Sequence, residues 1–196
     1  MFEPIGQAEM ATIGISAANK WPCELDEFML LECISEQLIS DSHLDLLLVA
    51  EASPIEVGFI TQICDDVGCI AAFIESSSHE QDVVWDVMLD LKGKLDAHEM
   101  PDNLDIADIR ELSRYSEQLL AFDCAAKFFH FLETSSSQFT GCIYLANGTV
   151  NLDDYTQMNQ RITGYLPPSA YFASSIFSVA KSELTVLLGV ENYQQA

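Results

Sequence analysis

Asp82, Asp86 and Asp90 stand at i, i+4 and i+8 in a stretch where Val84, Val87, Met88, Leu91 and Leu95 keep helical spacing. One helix therefore carries a carboxylate stripe opposite its apolar face. At a rise of about 1.5 Å per residue the stripe places one carboxylate every ~6 Å, sparser than the one phosphate charge per ~1.7 Å of duplex axis. A single helix cannot imitate DNA, but Glu32 and Glu36, Asp65 and Asp66, and Asp105 and Asp108 would extend the field if they faced the same way. The combined surface would suit a channel lined with Lys and Arg. The plainer reading of the stripe is the solvated face of an amphipathic helix. Like charges at i, i+4 cost about 0.2–0.5 kcal/mol per pair, and Lys94, four past Asp90, offsets part of that.

A second constellation follows two short apolar runs. Glu51 comes after 44–50, and Glu75 and His79 come after 69–74. If those runs are neighbouring parallel strands, the two carboxylates and the imidazole converge at the strand ends, where open α/β sheets place their ligands. General acid–base work or a divalent cation would be the matching chemistry. Equally, both glutamates end strands in water and His79 decorates a helix start.

Other motifs are weak. Lys92-Gly93-Lys94 lacks the preceding glycine and following Ser/Thr of a phosphate loop, and no GxGxxG occurs. Cys64 and Cys69 lack the paired CxxC spacing of a structural zinc site. No metal and no cofactor are expected. Asn147-Gly148-Thr149 reads as a turn, and His130, between Phe129 and Phe131, reads as a packing residue. Arg110 and Arg114 are flanked by Asp108, Glu111 and Glu117 and should pair within their helix. Trp21 and Tyr165 are candidate aromatic anchors at the rim of the acidic surface.

The elements that must position these groups follow from turn chemistry and periodicity. A short strand is expected at 12–16 and a first helix over 22–40, with Pro22 at its start and acids in its first turn. The run 44–50 suits a strand covered on both faces. Ser53-Pro54-Ile55-Glu56 spells a capping box with proline at the first helical position, for a helix ending near Gly68. A second strand at 69–74 and a third helix to 95 complete a β-α-β-α unit and imply a parallel pair. Beyond it, the pattern predicts a long helix over 105–133, a strand at 139–146 turning at Asn147-Gly148 to pair with 149–152, a helix over 153–162, and a terminal helix from Pro168 to about Leu188. The fold class is α/β or α+β. The chain reads as a single domain, 1–196, with a possible hinge at 96–103 between a 22–95 half and a 104–196 half.

Composition sets the functional expectation. The formal charge is −23, from 31 acidic and 8 basic residues, on a chain that is 49% hydrophobic. That apolar content is too high for disorder. Scattered single Lys and Arg residues exclude naked nucleic acid and an anionic membrane surface as partners. No signal peptide opens the sequence, and the cysteines read as buried thiols of a cytoplasmic protein. The expected partner is a basic protein, and the expected role is a non-enzymatic inhibitor that mimics nucleic acid, as an anti-defence protein of a phage or plasmid would. Two alternatives stand beside it: an immunity or antitoxin protein neutralising a basic toxin, and a small enzyme or ligand-binding domain using the strand-end carboxylates. Charge repulsion favours a monomer over a homodimer.

Overall fold

The computed structural model describes residues 11–18, 28–78, 80–97 and 104–192. The chain runs β1 (Ile13–Ala17), β2 (Phe28–Leu30), a 3-10 turn (Leu31–Cys33), α1 (Glu36–Asp41), β3 (Leu46–Ala50), α2 (Pro54–Val67), β4 (Ile70–Ser76) and α3 (Gln81–Ala97). It continues with α4 (Ile106–Arg114), β5 (Gln118–Phe122), α5 (Ala125–Thr134), β6 (Gln138–Asn147), α6 (Leu152–Thr163), β7 (Tyr171–Phe177) and β8 (Leu184–Glu191). The fold is mixed α/β, built on one eight-stranded sheet of order β2-β1-β3-β4-β5-β8-β6-β7.

Local chemistry places the β3-α2-β4 unit. Ser53 Oγ accepts from the Glu56 N–H at 3.4 Å while the Glu56 carboxylate accepts from the Ser53 N–H at 2.8 Å, so both partners of the capping box are made. Gly68 ends the helix at φ +78, a left-handed turn that glycine enters without a Cβ penalty. Leu46 to Ala50 are all buried, and β3 pairs in parallel with β1 on one side and β4 on the other. A continuous apolar run is the signature of such a central strand.

Side-chain alternation divides the core between two sheet faces. Leu46, Leu48 and Ala50 join Ile74, Leu119, Ile143 and Leu187 beneath α3 and α4. Leu47 and Val49 point the other way, into a cluster with Ile39, Ile60 and Cys64 of α1 and α2. Further along that second face, Leu120, Phe122, Tyr144 and Val186 pack with Phe128, Phe129 and Ile162 of α5 and α6. The sheet is thus sandwiched between two helical layers.

The second half differs from the pattern expected. The helix predicted over 105–133 is α4, β5 and α5. Leu119, Leu120, Ala121 and Phe122 are all buried, and a strand buried on both faces has no period-2 alternation to distinguish it from helix. The flanking helical patterns happened to stay in phase across it. The segment 149–152 does not return as a strand, because Asn151 accepts from the Asp154 N–H and starts α6. The Gly148 N–H bonds instead to the Phe177 carbonyl of β7. In place of the terminal helix stand β7, parallel to β6, and β8, which runs antiparallel between β5 and β6. In place of the first helix are β2, the 3-10 turn and the short α1; residues 19–27 lie outside the described set. The predicted hinge, 96–103, falls mostly outside it as well.

Close backbone approach fixes one crossing in the sheet. Gly141 of β6 faces Gly189 of β8, and above them Ser116 Oγ and Thr140 Oγ1 share a 2.7 Å hydrogen bond. A Cβ on Gly189 would come within 2.1 Å of Ser116 Oγ and 2.5 Å of Thr140 Oγ1.

Candidate functional site

The carboxyl ends of β3 and β4 are neighbours, since Ala50 pairs with Ile74. Beyond them the chain opens a cavity of about 380 Å³. Its floor is apolar: Ala50, Ile74, and Val84 and Trp85 from the first turns of α3. Trp85 is 2% exposed and packs against Phe28 at 5.6 Å between ring centroids. Its rim carries Glu51, Glu75 and Glu80, together with Ser53, Ser76 and Gln81. Among the described lining residues there is no lysine, arginine, histidine or cysteine.

Glu51 occupies the left-handed region at φ +61. A non-glycine residue there costs roughly 1–2 kcal/mol. The strain turns the chain sharply from β3 into the Ser53 cap of α2 and leaves the Glu51 side chain at the cavity rim. Glu75 lies in register with Leu120, so its side chain leaves the sheet on the α5 side.

The start of α2 is capped by its own residues. Its capping N–H groups and the Ser53 hydroxyl are engaged with Glu56, the hydroxyl at 2.6 Å from the carboxylate. These hydrogen bonds hold the Glu56 carboxyl below its ordinary range. A phosphate at this helix start would meet Glu51 and Glu56 where an anion site offers free N–H groups. On the opposite rim Lys127 of α5 pairs with Glu80, and that bond holds the Glu80 carboxyl low and the Lys127 ammonium high. The Ser76 hydroxyl bonds to Ser78, through both its Oγ and its N–H at 3.2 Å. Among the described residues no group of three His, Cys, Asp or Glu side chains is close enough to hold a metal ion. Sequence reasoning reached Glu51 and Glu75 through the strand-end rule. It missed the Trp85 floor, the Glu80 rim and the Glu51 turn; His79 lies outside the described residues.

The acids expected to form a nucleic-acid-like surface do not come together. Asp82 is exposed and Asp86 half-buried, but Asp90 is 2% exposed. The Asp90 carboxylate accepts from the Lys181 N–H at 2.9 Å, the Ser182 N–H at 3.4 Å and Thr185 Oγ1 at 2.8 Å, fastening the β7–β8 loop to α3. Asp86, half withdrawn from water beside Asp90, has its carboxyl pushed up. Asp105 caps α4 by accepting from the Ala107 and Asp108 N–H groups. Asp108 accepts from the Asp105 N–H at 2.8 Å and from the Tyr171 hydroxyl. Glu32, Glu36, Asp65 and Asp66 are exposed, but they belong to the α1–α2 layer, with the sheet between them and α3 and α4. Lys94 of α3, expected to screen the stripe at the surface, is fully buried. His130, expected as a partly buried packing residue, is exposed. Arg114 packs over the Tyr115 ring, 5.7 Å from its centroid, and Tyr165 lies against Phe129; Trp21 falls outside the described residues.

No family model and no curated protein matches this chain. Among solved structures, the chain is similar to FtsZ W319Y mutant, P1 (M. jannaschii), at 12% identity and a TM-score of 0.47, over 80% of this chain and 68% of that one. The geometry of the acids sets aside the expected nucleic-acid mimic and anti-defence inhibitor: Asp90 is an internal fastening, and the remaining acids divide between opposite layers. Among the described residues no helix is long and apolar enough to cross a membrane.

Proposed function

We propose that this chain is a binding protein for a small organic cation, an ammonium or guanidinium group on a short apolar body, taken up at the carboxyl ends of β3 and β4. The observation that carries the reading is the cavity of about 380 Å³ with an apolar floor and, beside the Glu80 already paired with Lys127, two further carboxylates, Glu51 and Glu75, on its rim. Cavities of this size accept small ligands. The carboxylates supply charge-assisted hydrogen bonds to the cationic head, while Ile74, Val84 and Trp85 cover the body. The strained Glu51 supports the reading, because left-handed non-glycine residues persist where the surrounding structure holds them for a purpose. Binding without turnover is favoured. The Ser53 hydroxyl is engaged with Glu56, and the Ser76 hydroxyl with Ser78.

The test is calorimetric titration with putrescine, agmatine and arginine, set against a nucleoside triphosphate. Saturable binding of a cation that is lost in Glu51→Gln/Glu75→Gln supports the reading. Binding of the triphosphate alone, or cation binding unchanged in the double variant, overturns it.

A further inference from the structure

A second and larger concavity lies at the other end of the sheet, where β6 and β7 begin and β8 ends. It measures about 1010 Å³, at the upper limit of small-molecule pockets, and is open enough for an extended peptide. Aromatic rings from four separate segments line it: Tyr115 after α4, Phe139 of β6, Tyr165 after α6 and Tyr171 at the start of β7, with Pro167 beside them. Tyr115 is 55% and Tyr165 36% exposed, so both rings are open to a ligand.

Two of the rings are held in place by carboxylates. The Tyr165 hydroxyl donates to Glu133 at 3.0 Å, and the Tyr171 hydroxyl donates to Asp108. Fixed rings lose little freedom on binding, which favours recognition of a ligand that is itself stiff. The surrounding charge is mainly negative, with Arg161 beside Tyr165 and Arg114 beside Tyr115 as the nearby cations. Glu191 lines the groove, Glu133 and Asp108 back its tyrosines, and Asp105 and Glu111 lie near enough to Tyr171 to help hold its hydroxyl protonated. Arg114 covers part of the Tyr115 ring, so that ring already supports a guanidinium by cation–π attraction.

We infer that this groove docks a basic, proline-rich segment of a partner protein in the polyproline II conformation. The chemistry matches on three counts. Aromatic-lined grooves receive the ridges of a polyproline II helix, whose stiffness limits the entropy lost on binding. The carboxylates select Lys or Arg flanking the prolines. The exposed tyrosines have the character of interface anchors, which concentrate binding energy in a few rings.

The probe is a synthetic ten-residue peptide of alternating proline and leucine with arginine at both ends, titrated into the full chain by calorimetry. Saturable binding is expected, weakened roughly tenfold or more by Tyr115→Ala and by Tyr165→Ala, as for anchor tyrosines. Replacing the peptide's arginines by glutamate should abolish binding, and replacing its prolines by alanine should weaken it severalfold. Tyr171→Phe keeps the ring and should retain most affinity, which separates loss of the groove from loss of the fold. No binding, binding indifferent to Tyr115 and Tyr165, or equal binding of the alanine peptide overturns the inference. So does sedimentation showing that a second copy of the chain occupies the groove and excludes the peptide.

Discussion

Replacing Asp90 gives the sharpest stability test. Its carboxylate is the acceptor for two backbone N–H groups and one hydroxyl. Thr185 is 0% exposed, and Ser182 is half-buried, so alanine at position 90 leaves at least two donors with restricted access to water. At about 1–3 kcal/mol for each orphaned buried donor, Asp90→Ala should cost about 2–6 kcal/mol, a large share of the ~5–15 kcal/mol that stabilises a typical domain. Asparagine keeps one acceptor oxygen but loses the charge, so Asp90→Asn should cost about 1–2 kcal/mol. The exposed Asp82→Asn serves as the control, within about 0.5 kcal/mol of the parent. Urea unfolding followed by far-UV circular dichroism reads the difference: with a slope of ~2–3 kcal/mol/M, Asp90→Ala should lower the midpoint by about 0.7–3 M. A midpoint unchanged in Asp90→Ala, or raised in Asp90→Asn, refutes the assignment of Asp90 as an internal fastening. A surface stripe would give that second result, because removing one of three like charges relieves repulsion.

Asp86 tests the electrostatics of the same helix. Its carboxyl is raised above the ordinary Asp value of 3.8 by burial first and the Asp90 charge second, so the folded state holds this proton more tightly than the unfolded chain. The charged form then costs stability above the folded-state value, and the cost disappears as pH falls through it. Asp86→Asn should therefore stabilise at pH 7 and give little gain at about pH 3, measured by thermal midpoints across the range. Gly189→Ala should destabilise by about 1–3 kcal/mol, because the added methyl meets Ser116 and Thr140. Gly189→Ala in a Ser116→Ala background should recover part of the loss in chemical denaturation. Among the described cysteines, thiol labelling should be graded: Cys33 is exposed and reacts first, while Cys142 is fully buried with its thiol pushed far up by that burial and reacts only on unfolding. Mass spectrometry of partially labelled chain shows the order, and early labelling of Cys142 would contradict the packing of β6.

Legibility in the sequence followed the distribution of local signals. The β3-α2-β4-α3 unit was readable because Ser53, Pro54, Glu56 and Gly68 act within a few residues of themselves. β5 was not, because its identity comes from β4 and β8 on either side of it. The same holds for β8, where Thr185 to Val190 are buried on both faces and only pairing with distant β5 and β6 distinguishes strand from helix. The site shows a parallel contrast. Glu51 and Glu75 follow from the rule for strand ends, whereas the peptide groove draws Tyr115, Phe139, Tyr165 and Tyr171 from four segments that no local pattern connects. Asp90 was misread for a related reason. Its spacing places it with Asp82 and Asp86, but the loop that covers it lies about ninety residues later in the chain.

The position of β8 bears on how the protein can be made. Among the described residues it is the last of the eight strands to be synthesised, yet it lies between β5 and β6 and makes the only link between the β1–β5 and β6–β7 parts of the sheet. During translation the earlier strands must wait with two open edges, one on β5 and one on β6, each presenting unpaired backbone groups that could zip onto another nascent chain. Closure joins residues more than sixty positions apart, as in Leu120 with Leu188, so it is slow relative to helix formation. A ribosome stalled before residue 184 would hold two half-sheets without their common strand. Production of this protein should accordingly be sensitive to chaperone supply and to truncation before residue 184.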